Sequence, residues 1–318
     1  MRGILSGERQ TGRLGSAAGA HSTGQDQGGH VVKDTPVPRC AGNRISAQTC
    51  SAGPECRMSE FDDATHVDAE GVTAIAAGWD IAGNANGGYL LALAANGLRT
   101  IAGRPDPVTV TGHFLAPGVP GPAEVHGEIV KAGKRFTTVT GSLRSNGRTV
   151  IQMLANFGDL STNAESDFVS MHGAPPELPP IELCRQRSAR SLFPAEFMNR
   201  IDVHLHPDHA RFMEGEQTGT AEVAGWFEFT DGRAVDSLAL LLVADALPPA
   251  VFNLDMPSGW VPTVELTVHV RALPAAGPLR CVFRSRFVHG GMFEEDGEVW
   301  DSSGTLVALS RQLALLPR

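Results

Sequence analysis

Asp245 is the residue whose surroundings most call for a chemical explanation. It lies between Leu240-Leu241-Leu242-Val243-Ala244 and Ala246-Leu247, inside the apolar run Leu238 to Ala250. A carboxylate in such a segment costs several kcal/mol unless hydrogen bonds receive it. It also falls late in the expected helix, the unfavourable end for an anion. Pro248 has no N–H, so the carbonyl of Ala244 loses its helical partner unless the helix ends or kinks there. Two readings stay open: a carboxylate reaching solvent at a helix end, or one kept in place for its chemistry. A second candidate is Asn84-Ala-Asn-Gly-Gly88, which leads directly into an apolar helical run. Unpaired N–H groups at Asn86, Gly87 and Gly88 would carry the positive end of the helix dipole and suit a substrate oxygen that becomes an oxyanion. Ordinary helix-start turn chemistry accounts for the same residues.

The elements that position these residues can be read from periodicity. Gly87 to Ala102 and Asp236 to Phe252 are apolar on nearly every side, which predicts two buried helices. Asn86 and Asp236 are the expected N-caps, and Gly103 the stop of the first helix. After each helix the pattern switches to period two. Val108–Phe114, Ala123–Val130, Phe136–Arg144 and Arg148–Phe157 follow the first; Thr263–Val270, Leu279–His289, Met292–Asp301 and Leu306–Leu315 follow the second. Turns such as Ser145-Asn146-Gly147 and Ser302-Ser303-Gly304 join them as consecutive antiparallel strands. The two sets repeat each other. Val108-Thr-Val-Thr-Gly-His113 lies over Val264-Glu-Leu-Thr-Val-His269 and Gly121-Pro122 over Gly277-Pro278, each offset by 156 residues. So long a period means a duplicated domain rather than a solenoid.

Composition bounds the rest. The chain has 318 residues with a net charge of −9, which argues against nucleic acid or an anionic membrane as main partner. No apolar run is long enough for a membrane span, and residues 1–30 lack the apolar core of a secretory signal. The five cysteines, Cys40, Cys50, Cys56, Cys184 and Cys281, are odd in number and form no C-x-x-C, so a reduced cytoplasmic protein is expected. Residues 1–57 contain ten Gly and no Phe, Trp or Tyr, and are expected to be a disordered extension. The expected domains are 58–162 and 191–318, with a linker at 163–190 containing the Pro-rich stretch Ala174 to Pro180.

A helix wrapped by an antiparallel sheet, duplicated in one chain, resembles the double hot-dog thioesterases of the acyl-CoA thioesterase II-like group. Gly78-Trp-Asp-Ile-Ala-Gly-Asn-Ala-Asn-Gly-Gly-Tyr-Leu90 looks like the approach to that family's first hot-dog helix, and His113-Phe-Leu-Ala-Pro-Gly118 like its next strand and turn. Val243-Ala-Asp-Ala-Leu-Pro-Pro-Ala250, Val261-Pro-Thr263 and Leu306-Val-Ala-Leu-Ser-Arg-Gln312 look like the second helix, the following strand and the last strand. The match covers nearly all of 58–318, and it rests on the order and duplication of motifs that are individually weak. The resemblance implies an α+β fold, a double hot-dog in which two antiparallel sheets each wrap a buried helix. It further implies acyl-CoA hydrolysis by a water that Asp245 activates, with Thr263 and Gln312 as partners, no cofactor and no metal, in a homo-oligomer. The alternative is a non-catalytic acyl or acyl-CoA binding protein of the same fold. In the first half Pro107 and Ala155 stand where Thr263 and Gln312 stand in the second, so only the second half can supply the trio.

His204-Leu-His-Pro-Asp-His209 spells the H-x-H-x-D-H metal motif of the metallo-β-lactamase superfamily. That fold needs further ligands downstream. Only His269 and His289 follow, and His269 has its repeat mate in His113, so chance histidines on a strand end are expected. No G-x-S-x-G elbow, G-x-G-x-x-G or P-loop is present, and Gly83–Gly88 lacks the Asp and His of hot-dog hydratases.

Overall fold

The computed structural model describes residues 58–162, 170–186, 195–257 and 259–317. The expected extension, 1–57, parts of the expected linker, 163–169 and 187–190, and the first residues of the expected second domain, 191–194, lie outside the described residues. The first half runs α1 Glu60–Ala64, β1 Val72–Ile75, the short pair β2 Asp80–Ile81 and β3 Asn84–Ala85, and helix α2 Gly87–Ala102. It continues with β4 Asp106–Phe114, β5 Gly121–Ala132, β6 Thr137–Ser145 and β7 Arg148–Gly158. The second half runs β8 Arg185–Gln186, β9 Ile201–Leu205, β10 Glu222–Phe229, α3 Ala239–Val243 and β11 Thr263–Val270. Then come β12 Leu279–Arg284, β13 Val288–His289, β14 Met292–Trp300 and β15 Leu306–Leu315.

Local chemistry sets α2. Asn86 Oδ1 accepts the Tyr89 N–H at 2.9 Å, and Gly103 ends the helix in the left-handed region at φ 63°. Residues Tyr89 to Ala95 are all buried. The sheet admits the helix closely because Gly141 presents no side chain: a Cβ there would stand 2.4 Å from Leu98 Cδ2. Tyr89 fixes the helix start. Its ring stacks on Trp79 at 5.2 Å, and its hydroxyl donates to the Ala64 carbonyl and accepts the Ala76 N–H. The β6–β7 turn places Asn146 and Gly147 at φ 50° and 73°, as a two-residue hairpin requires.

Three expectations need correction. First, the halves do not form two separate sheets. β4 pairs antiparallel with β11, giving one 13-stranded sheet in the order β1-β5-β6-β7-β4-β11-β15-β14-β12-β10-β9-β8, with β13 beside β14. Each half leaves the strand after its helix with an unpaired edge, and the two edges satisfy each other. Second, the expected helix Asp236–Phe252 is regular only over Ala239–Val243, followed by turns and a 3₁₀ turn at Ala250–Asn253. Pro248 and Pro249 cannot donate to the carbonyls of Ala244 and Asp245, so the helix stops short of them. This shortened α3 packs against α2. Third, the expected strand Leu279–His289 breaks after Arg284, where the Ser285 N–H turns to the Ala221 carbonyl.

The sheet of the second half already begins with β8, inside the expected linker, and the Pro-rich stretch is tied to β10 by Trp226 Nε1 donating to the Pro179 carbonyl at 3.0 Å. Among the described residues no helix is long and apolar enough to cross a membrane.

Candidate active site

Asp245 leaves the end of α3 and meets the start of α2. Its Oδ2 accepts the Gly88 N–H at 2.9 Å and Asn86 Nδ2 at 3.0 Å. The Asp245 carbonyl, deprived of a helical donor by Pro249, also accepts from Asn86 Nδ2 at 3.0 Å. Asn86 therefore caps α2 with its oxygen and binds the end of α3 with its nitrogen. Gly88 is required for this approach: a Cβ there would lie 2.8 Å from the carbonyl oxygens of Leu241 and Leu242 and 2.9 Å from Asp245 Cβ. The carboxylate sits at the positive end of the α2 dipole rather than in solvent. Burial pushes its pKa up to about 6, against the lowering effect of the Gly88, Asn86 and Gly87 hydrogen bonds.

Thr263 opens β11, and Gln312 lies on the neighbouring β15, opposite Leu266. Thr263 Oγ1 donates to Gln312 Oε1 at 3.1 Å. Asp245, Thr263, Gln312, Asn86 and Gly87 all line one cavity of about 340 Å³. The rest of its wall is largely apolar, with Leu90, Phe114, Leu247, Phe252, Trp260 and Phe293 among the contributors. Gly88 stands behind this wall, its N–H engaged by Asp245. Of the helix-start N–H groups expected to face a substrate oxygen, those of Gly88 and Gly87 serve the carboxylate, while that of Asn86 donates to the Trp79 carbonyl at 2.8 Å.

One residue of the cavity escaped the sequence reading. Glu295 of β14 is buried, receives Gln312 Nε2 on Oε1 at 2.9 Å and accepts the Ala250 N–H on Oε2 at 2.6 Å. Burial pushes its pKa up to about 7, with the Asp245 and Asp296 carboxylates adding to the rise. The signal was present in the alternation of β14, where Phe293, Glu295, Gly297 and Val299 share the inward face.

The first half has no such constellation where the repeat would put it. Ala155 is buried on β7, and Asp106, beside Pro107, accepts Ser237 Oγ at 2.6 Å and the Leu160 N–H at 2.8 Å, packed shut at the start of the α3 segment. The histidines of the H-x-H-x-D-H stretch point to separate partners. His204 Nε2 meets Asp202, His206 Nδ1 accepts the Asp208 N–H, and His209 Nδ1 accepts the Ala224 N–H. Among the described residues no group of three His, Cys, Asp or Glu is placed to hold a metal ion.

Known proteins share this fold. The acyl-CoA thioesterase N-terminal domain family matches residues 75–158, and the acyl-CoA thioesterase C-terminal domain family matches 175–316. A crystal structure from Thermobifida fusca YX, assigned as a thioesterase II, is 34% identical with a TM-score of 0.74, covering 82% of this chain and 98% of its own. A hot-dog protein of unknown function from Alicyclobacillus acidocaldarius, 23% identical, has a TM-score of 0.73 over 82% of this chain and 99% of its own, which bears on the fold alone. An uncharacterised Mycobacterium tuberculosis protein is 28% identical over 282 residues, or 83% of this chain and 92% of its own length. The two repeats correspond to an N-terminal and a C-terminal thioesterase domain, and the chain belongs to the acyl-CoA thioesterase family.

Proposed function

We propose that the chain hydrolyses fatty acyl-CoA to free acid and CoA, with Asp245 as general base and Thr263 and Gln312 positioning the attacking water. The observation that carries this reading is the Asp245 carboxylate held by Gly88 and Asn86 in the wall of an otherwise largely apolar cavity that also contains Thr263 and Gln312. An apolar wall suits an acyl chain. A carboxylate raised to about 6 is ionised at neutral pH yet basic enough to take a proton in the transition state. Asn86, Gly87 and Gly88 act in this scheme through Asp245, by fixing its orientation.

In the reaction the water oxygen bonds to the thioester carbon while one water proton passes to Asp245. The tetrahedral intermediate collapses with breakage of the C–S bond. The leaving thiolate belongs to a thiol with a pKa near ~8.5, so it departs without a strong general acid. Asp245 then returns its proton to the thiolate or to solvent.

The test is a panel of acyl-CoAs of increasing chain length with free-thiol detection. Thiol release that tracks enzyme concentration and disappears in Asp245→Asn supports the reading. Saturable binding of the same acyl-CoAs with no thiol release would make the chain an acyl-CoA binding protein instead.

A further inference from the structure

We propose that Glu295 is a positioning residue that sets the direction of the hydrogen bonds running from Gln312 to Thr263, and so decides whether Thr263 offers the attacking water a lone pair or a proton. The proposal rests on the reading of Asp245, Thr263 and Gln312 as the hydrolytic site.

The geometry leaves each hydrogen bond only one polarity at a time. Glu295 Oε2 is committed to the Ala250 N–H, so only Oε1 faces Gln312. An ionised carboxylate accepts and never donates. Gln312 must then present its amide nitrogen to Glu295 and its oxygen to Thr263, the arrangement observed. The single hydroxyl proton of Thr263 goes to Gln312, and its free lone pairs face the cavity. A water there can donate one proton toward Thr263 and the other to Asp245, leaving its own lone pair for the thioester carbon.

Protonation of Glu295 inverts the chain. The Ala250 N–H keeps Oε2 an acceptor, so the proton settles on Oε1, against the Gln312 amide nitrogen. Two donors face each other and the amide turns over. Gln312 then accepts from Glu295 and donates to Thr263, whose hydroxyl proton swings into the cavity. A water that accepts this proton has its lone pair engaged and is a poorer nucleophile. No bond of the substrate is involved in the switch; one proton moves between Glu295 and solvent.

The charges facing Glu295 favour a proton held near neutrality. Asp245 stands in the same cavity, and its charge disfavours ionisation of Glu295. From β14 itself Asp296 acts in the same sense, weakened by its own pairing with Arg311 and Arg286. The groups that touch Glu295 from β15 and from the 3₁₀ turn, Gln312 and Ala250, are uncharged, as is Phe283, the β12 residue that shares the cavity. Burial brings Glu295 to about 7.

The experiment is the pH profile of kcat/KM for the parent, Glu295→Gln and Thr263→Val, each checked for folding by circular dichroism and thermal melting. In Glu295→Gln the side-chain oxygen must serve the Ala250 N–H, so the amide nitrogen faces Gln312 and locks the inverted chain. The parent should lose activity on the acid side with two protons, approaching a slope of 2 in log kcat/KM. Glu295→Gln should retain one proton and lose about 10- to 100-fold in kcat at high pH, the effect of one misdirected hydrogen bond, with KM nearly unchanged. A one-proton acid limb in the parent, or a folded Glu295→Gln that keeps the parental rate and profile, overturns the proposal. If Glu295→Gln does not fold, Thr263→Val decides: loss of the second ionisation supports the proposal and its retention overturns it. Failure of the hydrolytic reading is separate and shows as undiminished thiol release by Asp245→Asn.

Discussion

Thr111 and Thr267 stand 156 residues apart in sequence and share a hydrogen bond, Oγ1 to Oγ1 at 2.9 Å, at the seam where β4 meets β11. They are the same position of the two repeats. The register around them is symmetric, with Gly112 opposite Leu266 and Val110 opposite Val268, so a pseudo-two-fold passes between the two hydroxyls. Thr267 gives its proton to Glu265, which makes Thr111 the donor across the seam. Thr111→Val and Thr267→Val should each destabilise the fold by roughly 0.5–1.5 kcal/mol. Their combined effect in a denaturant-unfolding double-mutant cycle should be less than additive, and strict additivity would mean the pair contributes nothing to joining the halves.

Asp245→Asn should lower acyl-CoA hydrolysis by about 10²–10⁴-fold, because Asn keeps the size and the acceptor oxygen but cannot take a proton from water. Stopped assays of free CoA thiol measure it. Thr263→Val and Gln312→Leu should each cost less. Either combined with Asp245→Asn should add little, since the group acts as a unit.

The same substitution has a signed effect on stability. The folded pKa of Asp245 lies near 6 against an ordinary aspartate value of 3.8, so between these values the folded protein binds the proton and the unfolded chain does not. Its contribution is most favourable below about pH 4 and declines as pH rises to about 6. Asp245→Asn should therefore match the parent at pH 4 and exceed it by roughly 1–3 kcal/mol at pH 7. Urea unfolding at the two pH values checks this, and a parent more stable than the variant at pH 7 contradicts it.

Asn86→Ala removes the α2 cap and both bonds to Asp245 together. The loss of the cap alone costs about 1 kcal/mol. The orphaned Asp245 carbonyl and weakened carboxylate should bring the total to roughly 2–4 kcal/mol. The activity loss should exceed that of an equally destabilising core substitution such as Leu98→Ala, measured on folded protein below the melting transition.

Gly88→Ala tests the close approach of the two helices. Alanine favours a helix by about 1 kcal/mol over glycine, yet the added methyl meets two backbone oxygens at 2.8 Å. Steric displacement should win, with a net loss of about 1–3 kcal/mol and a fall in activity as Asp245 is pushed from its donors. An unchanged melting temperature and rate would mean that α3 shifts freely.

Much of this architecture is local and was readable as such. Asn86, the apolar run to Ala102 and Gly103 define α2 by short-range chemistry, and the structure places its limits at Gly87 and Ala102. The period-two runs and the turn at Asn146-Gly147 define β4 to β7 in the same way, and the 156-residue repeat declares the duplication. Pro248 left open an end or a kink in the second helix, yet the apolar run carried the expectation on to Phe252, and the structure ends the regular helix at Val243. Tertiary structure decided what depends on distant partners. The Asp245 carbonyl finds its donor on Asn86, 159 residues earlier, and Oδ2 finds the Gly88 N–H at a separation of 157. Glu295 meets Gln312 and Ala250 across 17 and 45 residues. The fusion of the half-sheets is of the same kind. Any strand with an open edge can pair with any other, and only the packing of α2 against α3 brings β4 to β11 rather than to another edge.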